Sequence, residues 1–68
     1  MLNFRAKTFL CACKHMNFTA AAAELGISQP AVSQHIRRLE EDYGVKLFQY
    51  AGKKLRLTGA GQLVLAAV

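Results

Sequence analysis

Residues 27–40 read ISQPAVSQHIRRLE, and the order of residue types in this stretch decides the fold. Ser28 is a strong helix cap, because a short side-chain oxygen there can accept from a first-turn amide. Pro30 is tolerated in that turn, where amides have no intrahelical partner. Val32, Ile36, Leu39 and Tyr43 make an apolar stripe of helical period, and Gly44 is placed to end the run. A helix is therefore expected from about Gln29 to Tyr43. With the stripe inward, about a hundred degrees per residue turns Pro30, Gln34 and Arg37 to the opposite side and Ser33 to its flank. Arg37/Glu41 and Arg38/Asp42 stand at helical pair spacing and neutralise the distal half, whereas the proximal polar face carries no acid.

Upstream, a second helix is expected after Asn17, a good capping residue. It runs through the alanine block Ala20 to Ala23 to Leu25, and Gly26 offers the permissive backbone that stops it. So narrow a helix lets another approach closely, and the short link around Gly26 and Ile27 makes the pair a helix-turn-helix. The first helix spans residues 3 to 15, with Phe4, Phe9, Leu10 and Cys13 apolar and Asn3 as its cap. Downstream the period changes. Val45 to Tyr50 is rich in strand formers, Ala51 to Lys53 holds a glycine, and Lys54 to Leu57 alternates basic residues with leucine, the pattern of a hairpin or wing. Thr58 caps a last helix whose LVLAAV tail stops at Val68 with its apolar pattern unfinished, so the chain reads as the front piece of something longer.

At 68 residues the chain has room for one small core. Its hydrophobic fraction of 53% includes much alanine, which favours close-packed helices over a ligand cavity. Nine Lys and Arg against four Asp and Glu give a net charge of +5, an attraction for polyanions. The charge is unevenly spread: Lys46, Lys53, Lys54 and Arg56 stand in a segment without acids, while Glu24, Glu40, Glu41 and Asp42 all come earlier. No apolar run is long enough to cross a bilayer and no signal peptide is evident, so a cytoplasmic protein is expected. Cys11 and Cys13 diverge on a helix, cannot close a disulfide within it, and suit a reducing compartment. For the same reason Cys11, Cys13 and His15 cannot converge on a metal unless the helix breaks, and no fourth ligand is evident. No metal and no cofactor are expected. Catalysis is not expected either, because Ser33 and His35 point to opposite sides and no phosphate-cradling glycine loop follows a strand. His35 is better placed as packing at the edge of the stripe.

A helix-turn-helix lays its second helix in the DNA major groove and reads base edges with the N-terminal residues of that helix. Gln29, Pro30, Ser33 and Gln34 fit this role. Glutamine can pair bidentately with adenine, serine can donate or accept, and proline offers apolar contact to a thymine methyl. Arg37, a turn further on, can reach guanine or a phosphate. Lys53, Lys54 and Arg56 flank the wing's glycine turn and suit phosphate and minor-groove contact. Thr19 and Ser28, at the starts of the second and third helices, are further backbone-contact candidates, since helix N-termini bind anions.

The stretch NFTAAAAELGISQPAVSQHIRRLEEDYGVKLF, followed by LRLTGAG, resembles the DNA-binding domain of LysR-type transcriptional regulators over almost the whole chain. The carrying residues are Ala21-Ala22, Ser28 to Ser33, Leu39-Glu40, Gly44, Leu47-Phe48 and Leu57-Thr58 with Gly61. The resemblance implies a bacterial regulator of mainly α fold: a winged helix-turn-helix over residues 1–58, with a three-helix core and a small β-hairpin wing. A linker helix that pairs two subunits then starts in residues 59–68, where Leu63, Val64, Leu65 and Val68 are the pairing residues. It further implies duplex DNA with an inverted-repeat operator as partner, and a small-molecule effector only for a C-terminal domain outside these residues. Gln29, Pro30, Ser33 and Gln34 are base-proximal by the resemblance too. Three positions depart from the family's habit: Tyr50 stands where a wing arginine is usual, Ala6 where a larger aliphatic is common, and Gly59 where an acid is frequent. The alternatives are the similar N-terminal domain of a molybdate-responsive regulator and a winged-helix protein-interaction module. Against the second, the exposed helix face offers Gln, Ser and Arg rather than apolar side chains.

Overall fold

The structure, a computed structural model, describes residues 4–68. Six elements follow in chain order: α1 (Phe4–His15), α2 (Phe18–Leu25), α3 (Gln29–Tyr43), β1 (Phe48–Ala51), β2 (Lys54–Leu57) and α4 (Gly59–Ala67). The expected cap at Asn3 lies outside the described residues. Local chemistry sets the ends of α2 and α3. Asn17 Oδ1 accepts from the Ala20 N–H at 2.9 Å and Ser28 Oγ from the Ala31 N–H at 3.2 Å, each satisfying a first-turn donor that the helix cannot. Both helices stop on a glycine in the left-handed region, Gly26 at φ 70° and Gly44 at φ 72°, where a side chain would be strained.

The three helices pack pairwise around Phe9, Ala12, Ala21 and Val32, all fully buried. Ala21 and Ala22 keep α2 thin enough for this close approach. The hairpin closes the open side with Leu47 and Phe48. The Phe48 ring meets Phe9 and Phe18 edge-on at centroid distances of 5.6 and 5.2 Å, arrangements worth about 0.5–1.5 kcal/mol each beyond burial.

Two apolar assignments change. On α1 the buried side is Thr8, Phe9, Cys11 and Ala12, with Leu10 and Cys13 half-buried and Phe4 60% exposed. Small residues occupy the helix crossings, whereas the Phe4 ring lies over the surface, edge-on to His35 at 4.8 Å. His35 does sit at the edge of the stripe, its Nδ1 2.9 Å from Thr8 Oγ1. On α3 the stripe buries Val32, Ile36 and Leu39 but leaves Tyr43 51% exposed, because the core ends a turn before the helix does.

The first strand starts at Phe48 and not at Val45. Glu40 explains the delay: its backbone carbonyl accepts from the Val45 N–H at 3.2 Å, and its carboxylate Oε2 accepts from Leu47 N–H at 2.9 Å and Phe48 N–H at 3.4 Å. Donors spent on α3 are not available to a ladder. The hairpin then pairs Phe48 with Leu57, Gln49 with Arg56, Tyr50 with Leu55 and Ala51 with Lys54. Gly52, at φ 66°, takes the first position of the two-residue turn, where the twist of the strands calls for positive φ. Thr58 joins wing to α4: its N–H reaches Leu47 O at 3.0 Å, its hydroxyl donates to Lys46 O at 2.6 Å, and its Oγ1 accepts from Gly61 N–H at 2.9 Å. Gly61 is buried so closely against this joint that a Cβ there would strike the Leu47 carbonyl and the Leu57 side chain.

Glu40→Ala is expected to destabilise the domain by about 1–3 kcal/mol, the cost of leaving a part-buried amide without its acceptor. Urea unfolding measures this directly, and Glu40→Gln, which keeps an acceptor oxygen, should lose less. Equal losses in the two variants would assign the effect to charge instead of to the amide bonds.

Candidate nucleic-acid interface

The N-terminal half of α3 presents the residues singled out by its period. Gln29, Pro30, Gln34 and Arg37 are exposed and Ser33 is half-buried, and together with Ser28 they line one open concavity. Gln29 Nε2 donates to Ser33 Oγ at 2.7 Å, a side-chain pair one turn apart that holds both polar groups at the surface. The expected Arg37/Glu41 pair is not among the ion pairs formed. The expected Arg38/Asp42 pair does form, at 3.9 Å, and Arg5 of α1 joins the same carboxylate at 3.0 Å. Arg37 has no carboxylate within ion-pair reach among the described residues, so its charge is available to something outside.

A second concavity lies between α3 and the hairpin, where Gln29, Ser33 and Arg37 face Lys46, Gln49 and Tyr50. Tyr50, in the position where a wing arginine was expected, therefore brings a phenol hydroxyl to the edge of the helix face. Side chains of paired residues share a face of the hairpin. The register thus puts Lys54 and Arg56 together with Gln49 and Ala51, opposite the face that carries Phe48, Tyr50, Leu55 and Leu57. Lys53 stands in the turn. Lys53, Lys54 and Arg56 are exposed, line neither of these two concavities, and have no acidic partner among the described residues.

Glu24, Glu40 and Asp42 are engaged in hydrogen bonds or ion pairs. Glu24 on α2 receives His15 Nε2 at 2.7 Å and Lys14 Nζ at 3.1 Å, and the His15 hydrogen bond, then that of Lys14, lowers its carboxyl from the ordinary 4.5 to about 2. Glu40, with 14% of its side chain exposed, serves the wing amides and has Lys46 Nζ at 3.8 Å. Lys46 thus shares Glu40, whereas Arg37, Lys53, Lys54 and Arg56 have no ion-pair partner among the described residues. Thr19 is exposed on the first turn of α2, and Ser28 is exposed with its oxygen committed to the cap. On α4, Leu63 is 74% exposed, whereas Val64 and Leu65 are half-buried against the core, and Val68, just past the helix end, is exposed.

Thr58 caps α4 as expected, but sequence reasoning missed the ties of Glu40 and Thr58 to residues 46–48, which cross between elements and leave no periodic signal. It also missed that Cys11 and His15, one turn apart on α1, are met by Glu24 of α2.

A three-helix core with a capped second helix-turn-helix element and a basic two-stranded wing defines a winged helix-turn-helix domain. Residues 5–62 match the family described as bacterial regulatory helix-turn-helix protein, lysR family, and the chain belongs to that family. It is similar to a crystal structure of a LysR-family transcriptional regulator from Eggerthella lenta, with 63% identity, a TM-score of 0.94, and coverage of 98% of this chain and 96% of that one. A crystal structure of the CbnR DNA-binding domain in complex with DNA is 33% identical at a TM-score of 0.89, covering 98% and 77% of the two chains. The RuBisCO operon transcriptional regulator of Allochromatium vinosum is 45% identical over 58 residues, 85% of this chain and 19% of that protein. The chain spans about a fifth of the length of such curated relatives. Among the described residues, no helix is long and apolar enough to cross a membrane.

Proposed function

We propose that this chain binds duplex DNA in the bacterial cytoplasm as the reading domain of a larger transcriptional regulator and catalyses no reaction. In this reading α3 enters the major groove, with Gln29, Pro30, Ser33 and Gln34 on base edges. Thr19, Ser28, Arg37 and the wing residues Lys53, Lys54 and Arg56 hold the sugar-phosphate backbone, the wing lying toward the minor groove. The observation that carries it is the acid-free concavity of α3, in which amide, hydroxyl and guanidinium groups gather, together with the exposed wing cations Lys53, Lys54 and Arg56, which have no acidic partner among the described residues. The DNA complex of the similar CbnR domain supports the same use of the fold. Exposed polar groups and bare cations favour a phosphate-rich partner over a docking protein. Residues 59–68 begin a linker helix that pairs two subunits on an inverted repeat, and a small-molecule effector belongs to a further domain of the whole regulator.

Ser33→Ala and Gln34→Ala are each expected to relax preference at particular base pairs, at about 1–3 kcal/mol for a well-formed bidentate contact. Both side chains point away from Val32, Ile36 and Leu39, so folding should survive. Sites selected from random DNA, followed by competition against single-base variants of the preferred site, measure the effect. Full retention of the parental preference by both variants would remove α3 from the reading role.

A further inference from the structure

Cys11 and His15 are one helical turn apart on α1, so their side chains share a face, and Glu24 approaches that face from the last turn of α2. Cys11 Sγ, a His15 ring nitrogen and a Glu24 carboxylate oxygen all lie within 4.8 Å of one another. We propose that Cys11, His15 and Glu24 form a binding site for a thiophilic divalent cation of the zinc class, the fourth position being taken by water. None of the three lines either concavity beside α3, so the site is separate from the proposed DNA face.

The geometry is close to what such an ion needs. Bonds of about 2.0–2.3 Å in a tetrahedral site put ligand atoms about 3.3–3.8 Å apart, so the set has to contract by only about 1 Å. Two of the three ligands can supply that movement. Cys11 is buried at the base of the site, its Sγ 3.8 Å from Ala21 O, whereas the His15 and Glu24 side chains are partly exposed at the mouth, which gives an ion its way in. Cys13, turned to another side of α1, is not part of the cluster. Thiolate with imidazole and carboxylate suits zinc and its neighbours in the first transition row, and not calcium or magnesium, which take oxygen ligands.

The competing use of these groups is the ion pair of Glu24 with His15 and Lys14. That pair uses the carboxylate and the imidazole, while Cys11 packs in the core with its S–H toward Ala21 O; an ion would recruit all three groups at once. On binding, the Cys11 S–H proton leaves to solvent as the sulfur–metal bond forms. The Nε2 proton that His15 donates to Glu24 leaves that nitrogen, to solvent from the charged ring or to Nδ1 in the neutral one, and the freed Nε2 lone pair turns to the ion, while Lys14 moves to the carboxylate oxygen that the metal does not use. The ion then clips α1 to α2, the two helices that back the reading helix, and at a free concentration a hundred times its Kd it raises the folding equilibrium constant about a hundredfold.

Cobalt(II) chloride, titrated into the reduced protein, is the probe. The expected result is one equivalent bound with a thiolate-to-cobalt charge-transfer band, displaced by zinc chloride. Cys11→Ser should abolish the band and Cys13→Ser should keep it, while His15→Ala and Glu24→Gln each weaken cobalt binding by about tenfold or more. Circular dichroism checks that each variant folds, and if Cys11→Ser does not, the two variants at the partly exposed positions still decide the outcome. Absence of the band at millimolar cobalt overturns the proposal. So does a band that disappears with Cys13→Ser, or one that neither His15→Ala nor Glu24→Gln weakens.

Discussion

Neutralising Lys53, Lys54 and Arg56 together, as Lys53→Gln, Lys54→Gln and Arg56→Gln, is expected to make the fall of log affinity with log salt shallower by about 2.7. Each phosphate contact releases about 0.9 of a condensed counterion on B-form DNA, and three contacts are removed. By the same relation, affinity at about 0.1 M salt should drop by on the order of 10²–10³-fold. The side chains are exposed and have no acidic partner among the described residues, so the loss has no compensating gain within the domain. The hairpin itself should persist, since its ladder and its core-side residues Phe48, Leu55 and Leu57 are untouched. Preference among sites should survive too, because phosphate contacts position a protein and do not read bases. Fluorescence anisotropy over a series of salt concentrations gives the slope. A slope equal to the parent's would take the wing off the phosphate.

The features legible in the sequence are those whose physics is local. Asn17 and Ser28 cap because their own oxygens reach amides three residues on, and Gly26 and Gly44 stop helices because only glycine takes positive φ without strain. The bounds of α2 and α3 follow from those four residues, and the period of α3 then gathers Gln29, Pro30, Ser33, Gln34 and Arg37 on one surface. Tertiary contacts erased the rest. Period alone could not tell that Ala12 and Thr8 pack where helices cross while Phe4 stays outside, nor that the core stops before Tyr43. The sequence could not show that Arg5, distant along the chain, joins Arg38 on Asp42. Val45 to Leu47 have the composition of a strand, but Glu40 captures their amides first. The Cys11, His15 and Glu24 cluster failed to show for a similar reason. Two of its members are one turn apart, and the third comes from the next helix.

Leu63→Glu is expected to remove the advantage of an inverted repeat over a single half-site in a longer chain that carries α4 onward. Gly61, fixed against the Leu47 carbonyl, anchors one side of α4 to the domain, with Val64 and Leu65 half-buried beside it. Leu63 is turned to solvent at 74% exposure, and Val68 is exposed a turn further on. Burying a leucine is worth about 1.5–3 kcal/mol, so an outward leucine on the proposed pairing helix gains most from a second copy. The nine residues of α4 offer far less than the roughly 1,200–2,000 Å² that a stable interface buries, and the 68-residue chain alone should dimerise weakly at most. Two reading helices held on a two-fold axis bind related half-sites as one unit, an advantage on the order of 10²–10⁴-fold over one. Leu63→Glu should forfeit that factor on the repeat while leaving single half-site binding unchanged, because the side chain is remote from the buried core. Val64→Glu is the poorer test, since it also disturbs the contact of α4 with its own domain. Sedimentation of the short and extended chains, with binding to one and two half-sites, measures both quantities. An extended chain that is monomeric and still binds one half-site tightly would end the pairing proposal, as would a Leu63→Glu variant that keeps both its dimer and its preference for the repeat.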